Sequence, residues 1–564
     1  ETGHRLCWGF RTYWRGHGLD FGEPGFSYRE SLALFGYPIS EEFRMVGEDG
    51  REYTMQYFER ARFEWHPQNQ PPYDILLGRL GADLLAAPVT VRDVRVGQGT
   101  DYTRIVVETD RPATYQRATS AGPDRIVLDV ERAVLGSNAG ELEVDDGTVR
   151  EIRWAQFTTN PDVVRVIIEL EVATAHTVST LDGPSRLVVD VTKQRSTSPA
   201  PPIRVGLLWQ QQSVAFSGTG PFAVINLATG GTVATAAANS TWQVRAAPEG
   251  YAVITPQGAQ VGVYNGPMRV RLQDPGSARL VAKNTQYRGE FEVRKNAAGQ
   301  IALVNELDSE SYLQGVVPRE MPASWHPQAL RTQAVAARTY ARANLGKRGA
   351  DGCDLYDTTA DQVYGGASSE QAGATAAVND TRGTTAVCDG RRINAFFFSS
   401  AGGHTEHNDA VFGGTPVPYL RGVPVPAGWE AASPHSAWTA TIPHAELEAK
   451  LNANPATAVG ALTDLTFREQ GASGRWLWAE IRGATGTKTV RAGTFRLVVG
   501  ALLIKSTLFT MTKSGDDFVF RGAGYGHGVG LSQYGAQGAA AAGYGFRKIL
   551  RAFYTDGTRF MVEY

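Results

Sequence analysis

The stretch VVPREMPASWHPQALRTQAVAARTYA, residues 316–341, holds one carboxylate, Glu320, between an arginine and a Met-Pro pair. An amphipathic helix pattern starts at Pro327 and closes at Gly346, where a first-turn proline and a glycine past the helix end are favoured. A lone acid thus stands in a turn stiffened by Pro318 and Pro322. Apolar burial raises the pKa of a carboxyl, and Val316, Val317, Met321, Pro322 and Trp325 would supply such surroundings. A helix N-terminus close by would act the other way and stabilise the anion. The plain alternative is a solvated capping or ion-paired acid.

On the helix from Pro327, Leu330, Ala334, Ala337 and Ala341 form one stripe whose small residues allow close packing. Gln333 lies beside that stripe and Arg338 borders it. Two readings stand for Arg338: it helps orient substrate or Glu320, or it is a structural ion-pair partner. Downstream, the SSAGG turn at 399–403 carries Ser399 and Ser400, with His404, Glu406 and His407 just after it. A second glycine-rich stretch, GYGHGVGLSQYGA at 524–536, leaves His527, Gln533 and Tyr534 as its chemical groups. Such loops let a polymer backbone approach closely. The His-x-Glu-His cluster raises a metal question, but the loop has no cysteine and the chain has no Cys/His cluster of zinc spacing. No metal and no cofactor are therefore assigned. The glycine spacing at 524–530 is not a dinucleotide fingerprint, since no strand–helix crossover frames it.

The elements that must position these residues fall into several domains, as 564 residues lead one to expect. Lys and Arg number 55 against 57 Asp and Glu, so no basic excess draws nucleic acid. No apolar run reaches the roughly 18 residues of a membrane span, and residues 1–30 do not read as a signal peptide, so any export signal is expected to be absent already. Residues 1–83 form a small aromatic-rich module in which Trp8, Phe10, Trp14, Phe35, Phe58, Phe63 and Trp65 serve as core, or as platforms for sugar rings. Residues 100–193 contain a repeat: RIVVET (104–109) and RIVLDV (125–130) return 61 residues later as RVIIEL and RLVVDV, which is the pattern of a duplicated β-sandwich. QRSTSPAPP at 194–202 is a Ser/Pro linker, and 203–564 reads as one large α+β domain. Cys353 and Cys388 both lie beside strands of that domain, and exported proteins favour a disulfide between them over two free thiols.

Several stretches together carry a resemblance. VNELDSESYLQGVVPREMP (304–322), LRTQAVAARTYA (330–341), YDTTADQVYGG (356–366), FFFSSAGGHTEHNDAVFGG (396–414) and GAGYGHGVGLSQYGAQGAA (522–540) are similar, in this order, to the SpoIID/LytB family. The repeat at 100–193 resembles the AMIN domain of exported cell-envelope proteins, and the aromatic segment resembles small wall-associated modules. The first resemblance implies a lytic transglycosylase that cleaves the MurNAc–GlcNAc bond of peptidoglycan without water, with Glu320 as its single acid and base. It also implies that Gln333, Arg338, Ser399, Ser400, His404, Glu406, His527, Gln533 and Tyr534 line the glycan groove, His527 as a positioning residue. Implied partners are peptidoglycan glycan strands and a cell-wall amidase, in the envelope outside the cell. A non-catalytic glycan binder that stimulates such an amidase is the alternative, and a structural wall component is a third.

Overall fold

The computed structural model describes residues 2–47, 49–81, 87–99, 101–121, 123–144, 146–193 and 198–564. Part of the expected linker, residues 194–197, lies outside the described residues. Helices α1 (Trp8–Arg15) and α2 (Tyr28–Phe35) pack on a four-stranded antiparallel sheet whose strands, between residues 43 and 77, follow chain order. Ser27 starts α2 by a capping box: its hydroxyl accepts from Glu30 N, and the Glu30 carboxylate accepts from Ser27 N. Phe10, Trp14, Phe35, Phe58 and Phe63 are buried together as the core of this module, whereas Trp8 is 87% exposed.

Residues 89–192 form two five-stranded sheets around a single apolar core. The repeat units cross over. Tyr102–Thr109 of the first pairs with Arg186–Thr192 of the second, and Arg125–Glu131 of the first pairs with Asp162–Leu170 of the second. Each sheet thus holds one strand from each unit. The same ion pair recurs in both, Arg104 with Asp190 at 2.8 Å and Arg165 with Asp129 at 2.6 Å, directly across neighbouring strands.

The remaining chain opens with a seven-stranded and a six-stranded sheet, which lead into a group of helices. Asp308 starts α3 (Ser309–Glu320) by accepting from Glu310 N and Ser311 N. Pro327 occupies the first turn of α4 (Pro327–Ala343), and Gly346 beyond its end has φ +76°. The expected stripe on α4 is too narrow: residues 332–341 are all buried. Helix α4 is central, wrapped by α3, by α5 (Ala372–Asp380), by the strand Thr384–Cys388, and by α9 (Gln533–Ala541) and α10 (Phe546–Phe553). Among the buried residues is Arg338. Its guanidinium makes two bonds of 2.7 Å to Glu310 and donates to Val378 O and Thr384 O, so it is a structural ion pair and cannot touch a substrate.

Residues 433–523 form an insertion with its own apolar core, including Trp438, Leu447, Ile481, Phe495 and Phe520. It comprises two three-stranded sheets with α7 (His444–Asn452) and α8 (Ala492–Val499), and is preceded by the short α6 (Asn408–Phe412). The stretch 203–564 therefore holds two large cores where the sequence pattern suggests one domain.

Cys353 and Cys388 are not joined, against expectation. Cys353 is buried against Gly206, where an added Cβ would meet its sulfur at 2.7 Å, and Cys388 lies near the backbone oxygen of Asp556. Burial pushes the Cys353 thiol up to about 12. In the native protein a thiol reagent should therefore label the half-buried Cys388 and spare Cys353 until the chain is unfolded. Peptide mapping of labelled material checks this. Glu310→Ala should cost about 3–5 kcal/mol in chemical denaturation, because it strands the Arg338 charge in the core.

Candidate active site

Helix α3 does not stop before Pro318. It runs through to Glu320, which is its last residue, because Leu313, Val316 and Val317 are packed into the main core and hold the final turns. Met321 is extended (φ −132°, ψ 138°), as Pro322 requires of the residue before it. Glu320 therefore stands at a helix C-terminus, where unpaired carbonyls disfavour a negative charge, and not at the mouth of α4. Its Oε1 accepts from Val363 N at 2.9 Å, and the Gln533 side chain also donates to it. Burial outweighs both bonds and pushes the carboxyl from 4.5 up to about 7.

Glu320 opens on a cleft of about 530 Å³. Phe396, Phe398, Phe412, Tyr525 and His527 give it aromatic walls, and Ser399, Gln533, Tyr340, Lys347 and Arg496 add polar groups. The other carboxylate in the lining is Asp361. Burial opposes its charge, but Arg348 at 2.8 Å and Lys347 at 2.7 Å hold it below the usual carboxylate range. Asp361 also accepts from Tyr356 N at 2.9 Å, so its oxygens are committed to the fold. The cleft thus combines one carboxyl that exchanges its proton near pH 7 with one held as an anion.

His527 has a fixed tautomer. Its Nδ1 accepts from Val529 N at 3.0 Å, so Nε2 carries the proton and donates to Phe397 O at 3.1 Å. Burial, with repulsion from Arg496, pushes its pKa down to about 3. Both nitrogens are spent on backbone, and the residue presents a neutral ring to the cleft.

The SSAGG turn is already filled. Glu430 accepts from Ala401 N, Gly402 N and Gly403 N at 2.5, 2.9 and 3.2 Å, and from the Ser532 hydroxyl. Ser400 is buried and accepts from the Ser433 hydroxyl at 3.0 Å. Glu406 is buried as well. It accepts from His407 N, Ala472 N, Ser473 N and the Ser473 hydroxyl, and these bonds keep it ionised against its burial. Arg475, fully buried in the same place, donates to His404 O at 2.8 Å and Ala401 O at 2.7 Å.

Profiles of known families match three parts of the chain: "Stage II sporulation protein" at 297–387, "AMIN domain" at 93–191 and a domain of unknown function at 430–530. Stage II sporulation protein D of Bacillus subtilis is 33% identical over 273 residues, covering 45% of this chain and 75% of that protein. The chain belongs to the SpoIID family. It is multidomain, with an AMIN domain ahead of the SpoIID domain. The amidase enhancer of B. subtilis is 32% identical over 293 residues, and the chain spans only 40% of its length. N-acetylmuramoyl-L-alanine amidase AmiC of Escherichia coli O6:H1 is 35% identical over 91 residues, 15% of this chain and 21% of that one.

In this SpoIID chain Glu320, Ser399, His527 and Gln533 meet at the cleft. Gln333 is buried one step behind, its carbonyl accepting from Gln533 Nε2 at 3.4 Å. Tyr534 sits edge-on to Trp325 with ring centres 4.9 Å apart and donates its backbone N–H to Ser399 O, outside the cleft lining. Ser400, His404 and Glu406 do not reach the cleft, since they and Arg475 fasten the inserted segment to its host. His407 Nδ1 accepts from Gly422 N at 2.8 Å. Sequence reasoning missed Tyr340, Lys347, Arg496 and the Phe396–Phe398 run as lining, and Glu430 as the filler of the SSAGG turn. Only the phenylalanine run carried a visible signal, three large rings abutting a glycine-rich turn.

Below pH 4.5 Glu320 is neutral whether the chain is folded or not. Between 4.5 and about 7 the unfolded chain loses this proton first, so stability falls as pH rises. Glu320→Gln should accordingly be more stable than the parent at pH 8, by about 3 kcal/mol, and little different at pH 4. Denaturation of both proteins at the two pH values checks it.

Proposed function

We propose that this chain is an exported lytic transglycosylase of the cell envelope, acting on peptidoglycan glycan strands with Glu320 as its only acid and base. The observation that carries this reading is the buried carboxyl at the end of α3, its pKa raised towards neutrality, facing a cleft whose other carboxylate is tied down. Hydrolytic glycosidases pair an acid with a second working carboxylate. A sugar that supplies its own nucleophile needs one carboxyl. The protonated Glu320 gives its proton to the glycosidic oxygen as the bond to the muramic C1 breaks. The C6 hydroxyl of the same sugar bonds to C1, and its proton passes to the Glu320 carboxylate. The acid is restored, no water is consumed, and the products are a free GlcNAc hydroxyl and a 1,6-anhydro-muramic end.

The AMIN domain fits a role in holding the protein on the wall, beside an amidase that works on the same polymer. The similarity to the amidase enhancer supports a second reading, a glycan binder that stimulates such an amidase without cleaving. Mass spectra of purified glycan strands after incubation separate the two: anhydro ends mark the transglycosylase, and unchanged strands mark the binder.

Glu320→Gln should keep glycan binding and lower the cleavage rate by about 10²–10⁴-fold. In the parent protein the rate should fall as pH rises past about 7, where Glu320 ionises. The Gln533 bond lowers this pKa, so Gln533→Leu should move the alkaline limb to higher pH. Initial rates of anhydro-end release between pH 5 and 9 measure both effects.

A further inference from the structure

The groove does not end at Glu320. A second cleft, of about 280 Å³, adjoins the first and shares Phe412, Arg496, Leu497, Gly526 and His527 with it. At this junction the Phe412 ring lies 5.1 Å from Phe396 and 5.4 Å from His527. Because both His527 nitrogens are bound to backbone, these three rings make an apolar floor.

Helix α8 of the inserted segment supplies a wall. Ala492, Phe495 and Val499 are buried on the side of its own core, which leaves Arg496 and Leu497 to line the groove. Leu497 is 66% exposed and Phe412 49% exposed, so two large apolar side chains are held in water where the two clefts meet. Arg496 is anchored through Nε, which donates to Lys505 O at 2.9 Å. Among the described residues its terminal nitrogens make no hydrogen bond. The wall is also fixed in place. Arg491 donates to Ala410 O on α6 at 2.8 Å, and Arg475 and Glu406 lock the other side of the insertion to the SSAGG region.

We propose that the inserted segment forms one wall of the substrate groove, and that Phe412, Arg496 and Leu497 bind a further sugar of the strand, beyond the bond at Glu320. Rings and a leucine cover the apolar face of a pyranose, while a guanidinium donates to the oxygens on its edge. The inference rests on the reading of the Glu320 cleft as a glycan site. With this wall in place, recognition depends on the length of the strand.

The test measures binding of β-1,4-linked N-acetylglucosamine oligomers, from dimer to hexamer, to the full chain carrying Glu320→Gln, by calorimetry. Affinity should rise roughly tenfold or more from trimer to hexamer, as an added sugar covers apolar surface. Leu497→Asp should remove most of that rise, and so should Phe412→Ala. Val261→Asp, the same kind of change at an exposed strand position away from the groove, should keep it. No rise in the parent, or a rise that survives both groove substitutions, overturns the proposal. Binding needs no cleavage, so the two readings fail separately. Length-dependent binding without anhydro products would defeat the transglycosylase and keep the wall. Anhydro products formed with the same length dependence in Leu497→Asp would do the reverse.

Discussion

One buried ion pair decides where the candidate acid stands. Glu310 in the first turn of α3 and Arg338 in the middle of α4 share two bonds of 2.7 Å with no access to water. Arg338 further donates to Val378 O at the end of α5 and to Thr384 O at the start of a strand. Glu310 further accepts from Gly383 N and from the hydroxyl of Tyr564. A charge left without its partner here would be very costly, so any arrangement of α3, α4, α5, the strand and residues near Tyr564 that separates the two is strongly disfavoured. Glu320 lies ten residues on, about 15 Å along the helix axis, and inherits that precision.

The chain treats its carboxylates in two ways, and the difference is chemical. Glu406, Glu430 and Asp361 are given hydrogen-bond donors or cations until they have little left to offer a ligand. Glu320 receives one backbone N–H and one side-chain amide, sits at the negative end of a helix dipole, and makes no ion pair closer than 4 Å among the described residues. Saturation makes an acid part of the scaffold; partial solvation and burial leave it able to exchange a proton near neutrality. The saturated acids also serve the site at one remove. Glu406 and Arg475 seat the inserted segment on its host, and so help set where α8 stands against the cleft.

The AMIN domain is attached by charges as well. Lys548 on α10 lies 2.7 Å from Glu143, and Arg551 on the same helix pairs with Glu171. Since α10 packs directly on α4, the AMIN domain is tied through α10 to the helix that carries Arg338. Its internal symmetry does not extend to this contact: the two Arg–Asp pairs repeat, but Asp110, which stands in the first unit where Glu171 stands in the second, pairs with Arg111 instead.

By itself the sequence determined what depends on local pattern. The 61-residue repeat specified paired strands, Pro327 and Gly346 bracketed α4 to within a few residues, and the stretch around Pro318 and Pro322 singled out Glu320 as a candidate acid. It did not reveal which strand of a repeat pairs with which, because exchanged and unexchanged pairings bury the same alternating faces. Nor did it reveal the roles of polar residues beside glycines. Ser400, His404 and Glu406 read as groove residues until the structure set Ser433, Arg475 and the 471–474 turn against them. Arg338 read two ways until Glu310, 28 residues earlier, was seen to face it. The pKa of Glu320 was open for the same reason. Burial, helix end and hydrogen-bond donors act on it with opposite signs, and their sum depends on Val363 and Gln533, 43 and 213 positions away. Local propensity follows neighbours in the chain, whereas solvation and charge follow neighbours in space, which only the tertiary structure brings together.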